Sequence, residues 1–220
     1  MLAFFLCLAS VCTFVPPEGW ECVKNPAPSS YVQIGFLGEG DASTPFRPSL
    51  NLAIEETHLS LKEYLKVVRE LHETEMNVRW RDLGQLTFHA GQGRLTELTS
   101  HSPCGEVKML QGIFVSGGHA YILTGATLKE EFSQHQSKLL SSIRSLVLSP
   151  NLFSRIEDKA KRLEFEERFK TFETLSTLEM KKAAWEKLQK RILEDFSSLG
   201  SYWHFLILQE GYKRIFKEKV

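Results

Sequence analysis

The sequence predicts an α+β protein, an antiparallel sheet flanked by helices and followed by a C-terminal bundle of about three helices. Three observations carry that expectation. Between residues 31 and 124, short apolar runs alternate with polar positions and are punctuated by glycine, proline and serine, the period-two signature of strands. Two segments, after Ser60 and after Thr127, carry apolar residues at helical spacing instead. From Leu152 onward the strand pattern stops, and aromatic and aliphatic residues recur every three or four positions. These shifts divide the chain into a candidate signal segment at 1–12, a sheet domain at 13–148 and a helical extension at 149–220.

The elements follow in order. Pro16, Pro17 and Gly19 mark a turn before Trp20, and Asn25 to Pro28 reads as a loop. Residues 31–37 alternate as a strand, with Val32, Ile34 and Phe36 on one face. Gly38 to Pro45 is a loop, and Leu50, Leu52 and Ile54 line one side of a half-buried strand. Ser60 and Glu63 stand at capping-box spacing before Leu61, Tyr64, Leu65, Val68, Leu71 and His72, which share a helical face. Trp80 comes next. Strands at 84–90 and 94–100 are expected to turn through Gly91-Gln92-Gly93. A second hairpin joins 107–115 to 120–124 through Ser116-Gly117-Gly118.

The second helix is expected to start near Thr127, with Glu130 completing another capping box, and to end before Pro150. Beyond it, Phe165, Phe169 and Phe172 lie at helical intervals, as do Leu178, Trp185, Leu188, Ile192, Phe196 and Leu199. Gly200 separates these from a more uniformly apolar helix containing Trp203, Phe205, Leu206, Ile207 and Leu208. Amphipathic faces need partners. A stripe through Trp185, Trp203 and Phe205 is therefore either internal packing or a partner surface.

The balance of charge removes some function classes. Lys plus Arg and Asp plus Glu are 27 each, so no global field recruits nucleic acid. The 220 residues suffice for one large domain or a domain with an appendage. Residues 2–11 are an apolar run with the length of a signal-peptide core, too short for the ~20 residues of a membrane-spanning helix. No Lys or Arg precedes it. Three readings stay open for this segment: a cleaved export signal, a lipid anchor at Cys12, or a buried first strand. Of the four cysteines, none has metal-ligand spacing, and in an oxidising compartment Cys22 and Cys104 are a candidate disulfide.

Short motifs then converge on a family. Pro17-Glu18-Gly19-Trp20 precedes a strand, and Phe46, Pro48, Leu50 and Leu52 fall at alternate positions. Gly118-His119-Ala120-Tyr121-Ile122-Leu123-Thr124 leads to a helix with Phe132 that closes on Ile143-Arg144-Ser145-Leu146. Over roughly residues 13–148 this resembles the PsbP-like superfamily, which includes the PsbP photosystem proteins, DcrB-type lipoproteins, type VI effector chaperones and Ran-binding import factors. Leu146 departs from the Phe often found there, and the helical extension lies outside the resemblance. The resemblance implies an antiparallel sheet flanked by helices. It also places the Pro-x-Gly-Trp turn inside the domain, after a short strand near 12–15.

Catalytic patterns are sparse. The seven histidines include no H-x-x-x-H or H-E-x-x-H pair. His89 and His101, on the two arms of the expected hairpin, read as exposed strand positions. Gly91-Gln92-Gly93 lacks the Lys-Ser/Thr and following helix of a phosphate loop. Arg79-Trp80-Arg81 reads as an aromatic packed on the sheet between exposed arginines. The expectation is a non-enzymatic protein-binding or assembly-assisting module without metal or cofactor, exported to or membrane-associated at a bacterial envelope. The alternatives are a cytoplasmic chaperone or adaptor that shields a hydrophobic partner segment, and a small hydrolase. The partner expected is another protein, with a membrane surface as a further candidate and no nucleic acid.

Overall fold

The computed structural model of the chain describes residues 11–23, 31–40 and 45–216. The strands are β1 (Val11–Thr13), β2 (Glu21–Val23), β3 (Val32–Leu37), β4 (Ser49–Glu56), β5 (Val78–Phe88), β6 (Gly91–Ser102), β7 (Gly105–Ser116), β8 (His119–Leu128) and β9 (Val147–Ser149). The helices are α1 (Leu61–Thr74), α2 (Phe132–Arg144), α3 (Lys159–Thr174), α4 (Leu178–Asp195) and α5 (Gly200–Phe216). The chain divides into two compact units, Pro16–Val147 and the combination of Met1–Val15 with Leu148–Val220. The α+β class and the terminal helices are as expected.

In the first unit seven strands run antiparallel in the order β2-β3-β4-β8-β7-β6-β5. Successive strand residues point to opposite faces, and each face takes one helix. Ile113, Val115, Ala120 and Ile122 cluster with Leu61, Tyr64, Leu65 and Val68 of α1. On the other face, a Cβ on Gly125 would stand 2.5 Å from Leu139 Cδ2, and one on Gly112 would collide with Ile143 Cγ2, so α2 sits directly on bare backbone. Burial on both faces explains the unbroken buried run Ala120–Leu123, which alternation alone does not predict.

Several local expectations change. Strand β5 starts at Val78, so Trp80 belongs to the sheet. The β5–β6 turn is His89-Ala90, while Gly91 to Gly93 lie within β6. A Cβ on Gly93 would meet the carbonyl of Ile113 and the ring of Phe88, so this glycine serves close packing rather than a turn. By contrast Gly117 and Gly118, at φ 57° and 80°, form the two-residue turn between β7 and β8. The second capping box does not exist. Strand β8 continues to Leu128, Thr127 is buried opposite Lys108, and α2 begins at Phe132 without a side-chain cap. Helix α2 also ends at Arg144, well before Pro150, and β9 intervenes.

The Pro16-Pro17-Glu18-Gly19 turn and Trp20 belong to the sheet unit. The Trp20 amide donates to the Pro17 carbonyl at 3.3 Å, and the indole lies against Gly38 and 6.2 Å from the ring of His135. The loop expected at 25–28, most of residues 1–12 and residues 41–44 of the loop expected at 38–45 lie outside the described residues.

The second unit is built on aromatic packing. Phe165, Phe169 and Phe172 of α3, Trp185, Leu188 and Ile192 of α4, and Trp203 and Ile207 of α5 form one buried cluster with Phe153, Ile156 and Phe196. Many of the rings meet edge to face, Phe165–Phe196 at 4.9 Å and Phe153–Phe169 at 5.1 Å. Strand β1 pairs with β9, and Phe14 packs on Tyr202 at 5.0 Å. Residues 13–15 therefore go with the helices rather than with the sheet domain.

Candidate binding surface

A concavity of the sheet unit lies between α1 and the β5–β6 end of the sheet. It encloses about 720 Å³ and is lined by Leu61, Lys62, Leu65, Lys66, Arg69, Trp80, Asp82 and Arg94, among others. Its geometry follows from local sequence.

Helix α1 is held at its start by the Ser60–Glu63 capping box. The Ser60 amide donates to Glu63 Oε2 at 2.9 Å, and the Glu63 amide donates to Ser60 Oγ at 3.3 Å. The Ser60 hydroxyl and amide hold the Glu63 carboxyl below the usual range. One turn on, the Tyr64 hydroxyl donates to Glu55 Oε2 at 2.6 Å and ties α1 to β4. Burial, then the hydrogen bond and charge of Glu55, raise the Tyr64 phenol pKa. With that face docked, 3.6 residues per turn place Lys62, Lys66 and Arg69 in one row on the flank toward Trp80, while Val67 and Leu71 fall on the opposite flank.

The other wall is made by a bulge. The β5–β6 ladder skips Leu83 between Asp82↔Thr96 and Gly84↔Leu95. Asp82 accepts from the Gly84 amide at 2.8 Å, where φ is +107°, and from Arg94 Nη2. Burial pushes the Asp82 pKa upward, but the hydrogen bonds from Arg94 and Gly84 and the Arg94 charge outweigh it and keep the group below its ordinary value. Before the bulge Trp80 and Asp82 face α1, whereas Arg81 points to the other face and donates to Glu97 at 2.9 Å. The Nε atoms of Trp80 and Arg94 are buried with no hydrogen-bond partner among the described residues.

The arrangement suits binding. Two carboxylates line it, one committed to a helix cap and the other to an arginine, so neither is poised as a general base at neutral pH. The cations Lys62, Lys66 and Arg69 overlook an apolar floor of Leu61, Leu65 and Trp80. The nearest counter-charges to the row are loose: Lys66–Glu70 at 3.7 Å and Arg69–Glu73 at 3.5 Å, both exposed. Strand β5 is one of the two edge strands of the sheet, with β2 at the other side, and Arg79, Arg81, Asp82, Leu83, Gln85 and Thr87 are exposed along it. The Arg144 and Leu146 carbonyls accept from the His89 and Ala90 amides and cover only its turn end.

The residues singled out from sequence fall elsewhere. Cys12 is buried in β1 and burial pushes its thiol up to about 12, so in this fold the sulfur offers no exposed anchor. Cys22 is exposed in β2 and Cys104 is half-buried in the turn between β6 and β7. Four strand spacings separate β2 from β7, about 19 Å, where a disulfide needs Cα atoms within about 7 Å. Trp185 and Trp203 are buried in the helical core, and the Trp203 indole donates to the Leu152 carbonyl at 2.9 Å, so no exposed stripe runs through them. Phe205 is half-buried beside Leu208 and Tyr212 at a depression of about 340 Å³. His89 and His101 lie at opposite ends of β6, on the order of 30 Å apart. Among the described residues no group of three or more His, Cys, Asp or Glu has metal-site geometry, and no helix is long and apolar enough to cross a membrane. The groove itself was missed from sequence. Its signals were the i, i+4, i+7 row of Lys62, Lys66 and Arg69 beside the Arg79-Trp80-Arg81 triplet.

No protein-family model and no curated protein matches the sequence. Solved structures that align with part of the chain include three. LpqN, described as involved in cell envelope biogenesis of Mycobacterium tuberculosis, aligns at TM-score 0.48 and 10% identity, over 64% of this chain and 85% of that one. PA94 of Pseudomonas aeruginosa, described as a protein of unknown function and putative regulator, aligns at 0.45 and 11%, over 57% and 88%. Cyanobacterial PsbP from Synechocystis sp. PCC 6803 aligns at 0.41 and 14%, over 60% and 84%.

Proposed function

We propose that the chain is a non-enzymatic protein-binding or assembly-assisting module whose working surface is the α1–β5 groove. The observation that carries this reading is the combination of an apolar floor with a row of cations whose own counter-ions are loose and exposed. A catalytic cleft would instead bring free titratable groups together, and both carboxylates of this groove are already engaged. The helical unit acts as a structural companion, its tryptophans spent on its own core.

The proposed location is the bacterial envelope, supported by the signal-like run at 2–11. Processing would fall before Val11, because removal of residues through Cys12 deletes most of β1. A cytoplasmic adaptor that shields a partner segment is the second reading, favoured by the burial of Cys12. A photoreactive residue replacing Lys66 tests the function in the native host. The captured protein, purified and mixed with the purified chain, is expected to bind saturably and to compete with cross-linking. Turnover of a small molecule in the groove, with no saturable protein partner, would overturn the reading.

A further inference from the structure

We infer that the groove takes an extended acidic segment of a partner protein, which adds to the sheet as a strand along the outer edge of β5. The inference rests on the protein-binding reading and specifies its partner and mode.

Three features of one place converge. The first is the edge. Strand β5 is eleven residues long and ends the sheet, and among the described residues no backbone hydrogen bond reaches its outer side between Arg79 and Phe88. Open edges template the pairing of another strand, and proteins commonly blunt them with short strands or covering elements. Here the edge is long. Its devices are a single bulge at Leu83 and charged side chains, and Leu83 itself remains 40% exposed.

The second feature is charge. Arg79 and Arg81 stand on the edge strand, and Lys62, Lys66 and Arg69 form the facing flank of α1. Against these five cations, the carboxylates lining the groove are Glu63 and Asp82, both already engaged; Glu70 and Glu73 pair with Lys66 and Arg69 at 3.7 and 3.5 Å in solvent, and Glu97 on the far face takes Arg81 and Lys108 at 2.9 and 2.8 Å. An added strand with Asp or Glu at alternate positions would turn those side chains toward the Lys62–Lys66–Arg69 row. Its intervening apolar side chains would point to the opposite face, beside Leu83 and the stems of Arg79 and Arg81.

The third feature is unused donors. The Nε atoms of Trp80 and Arg94 are buried without an acceptor among the described residues, and both residues line the groove. A small movement of either side chain lets a carboxylate or carbonyl of the incoming strand accept from it. Strand addition supplies affinity through main-chain hydrogen bonds and specificity through alternate side chains, and the cation row selects the acidic sequence.

The test uses the full chain and defined probes. A nine-residue peptide alternating Glu and Val, its N-methylated form, a Lys-Val counterpart and phosphatidylglycerol vesicles are titrated at low and physiological salt. The expected result is that the Glu-Val peptide binds, weakens as salt rises and cross-links from a photoreactive residue replacing Gln85 but not from one replacing Gln136 on α2. N-methylation of the peptide backbone and the triple variant Lys62→Glu, Lys66→Glu, Arg69→Glu should each weaken it at least tenfold. Because the methylated peptide leaves the protein unaltered, its result does not depend on how the variant folds. Equal binding of the acidic and basic peptides, or no binding of the acidic peptide at millimolar concentration, overturns the inference. So does saturable binding of the vesicles through the same cations in place of the peptide. If the peptide fails while a host protein that cross-links at Gln136 binds saturably when purified, strand addition is wrong and the protein-binding function stands. If no protein binds at either position, both fall.

Discussion

Gly125 lies directly beneath Leu139. A Cβ on the glycine would stand 2.5 Å from Cδ2 and 2.9 Å from Cδ1 of a leucine that is wholly buried. The Leu139 side chain of α2 therefore rests on bare backbone of β8, and Ile143 rests likewise on β7 at Gly112. Gly125→Ala should destabilise the protein by about 1–3 kcal/mol, the usual cost of overpacking a core that cannot yield. Urea unfolding should show the loss with an unchanged slope, because the surface exposed on unfolding is the same. A neutral result would mean that α2 moves freely on the sheet.

The Tyr64–Glu55 hydrogen bond ties α1 to the sheet and so sets the width of the groove. Tyr64→Phe keeps the ring and removes the donor to a carboxylate, at a cost of about 1.5–3 kcal/mol. In the wild type one tyrosine should ionise well above pH 10 in a spectrophotometric titration, since burial and then Glu55 both disfavour the phenolate. That late step should vanish in Tyr64→Phe. Its persistence would show that another tyrosine is responsible.

His135 supplies a pH dependence with a definite sign. Burial lowers its pKa, Glu131 opposes the shift and Lys138 adds to it, while its Nδ1 has no partner among the described residues. A histidine whose folded pKa lies below its unfolded value of about 6.5 stabilises the fold above that value. The contribution is lost as pH falls from about 6.5 through the folded pKa. The unfolding midpoint of the wild type should drop over that window by more than that of His135→Asn. Fluorescence of Trp20, 6.2 Å from the imidazole ring, is a local probe of the same titration. Identical pH profiles for the two proteins would exclude His135 as the source.

Thiol accessibility separates the cysteines. Native protein treated with iodoacetamide should be modified at exposed Cys22 first and at half-buried Cys104 more slowly. Cys12 should react only after unfolding, because its thiol is buried and its pKa is pushed up to about 12. Peptide mapping reads all three, and non-reducing digestion should recover no Cys22–Cys104 pair. Rapid native labelling of Cys12 would show that β1 opens readily.

Trp203 tests the role of the helical unit. Trp203→Ala removes a fully buried indole and should cost about 3–5 kcal/mol. Trp203→Phe keeps most of the ring but leaves the Leu152 carbonyl without its donor, a loss of about 1–3 kcal/mol. Far-UV circular dichroism during thermal unfolding measures both. A stable Trp203→Ala protein that has only lost a partner would restore the surface reading.

Where the physics was local, sequence sufficed. The Ser60–Glu63 cap needs only residues three apart, and it formed as expected. The paired glycines at 117–118 are demanded by a two-residue turn with positive φ, and the turn is there. The alternation in β3 and β4 and the helical spacing of the C-terminal aromatics likewise report the side that is buried. The same local rules misled at Thr127 and at Gly91–Gly93. A Thr-x-x-Glu pattern caps a helix only if the strand before it has ended, and β8 runs on because Lys108 pairs with Thr127. Glycines between two strands read as a turn until a neighbouring ring, here Phe88, is seen to need their missing Cβ.

The chain's own order of residues thus determined the class of fold, most of its elements and the charge on the exposed flank of α1, because periodicity and capping act over a few residues. Tertiary structure alone decided which strand became the open edge, that Trp185 and Trp203 face inward, that Cys22 and Cys104 stand too far apart to join, and that Lys62, Lys66 and Arg69 face Trp80 and Arg94 across one groove. Each of these depends on contacts between residues distant in sequence, and their energies are set by burial and register rather than by neighbours along the chain.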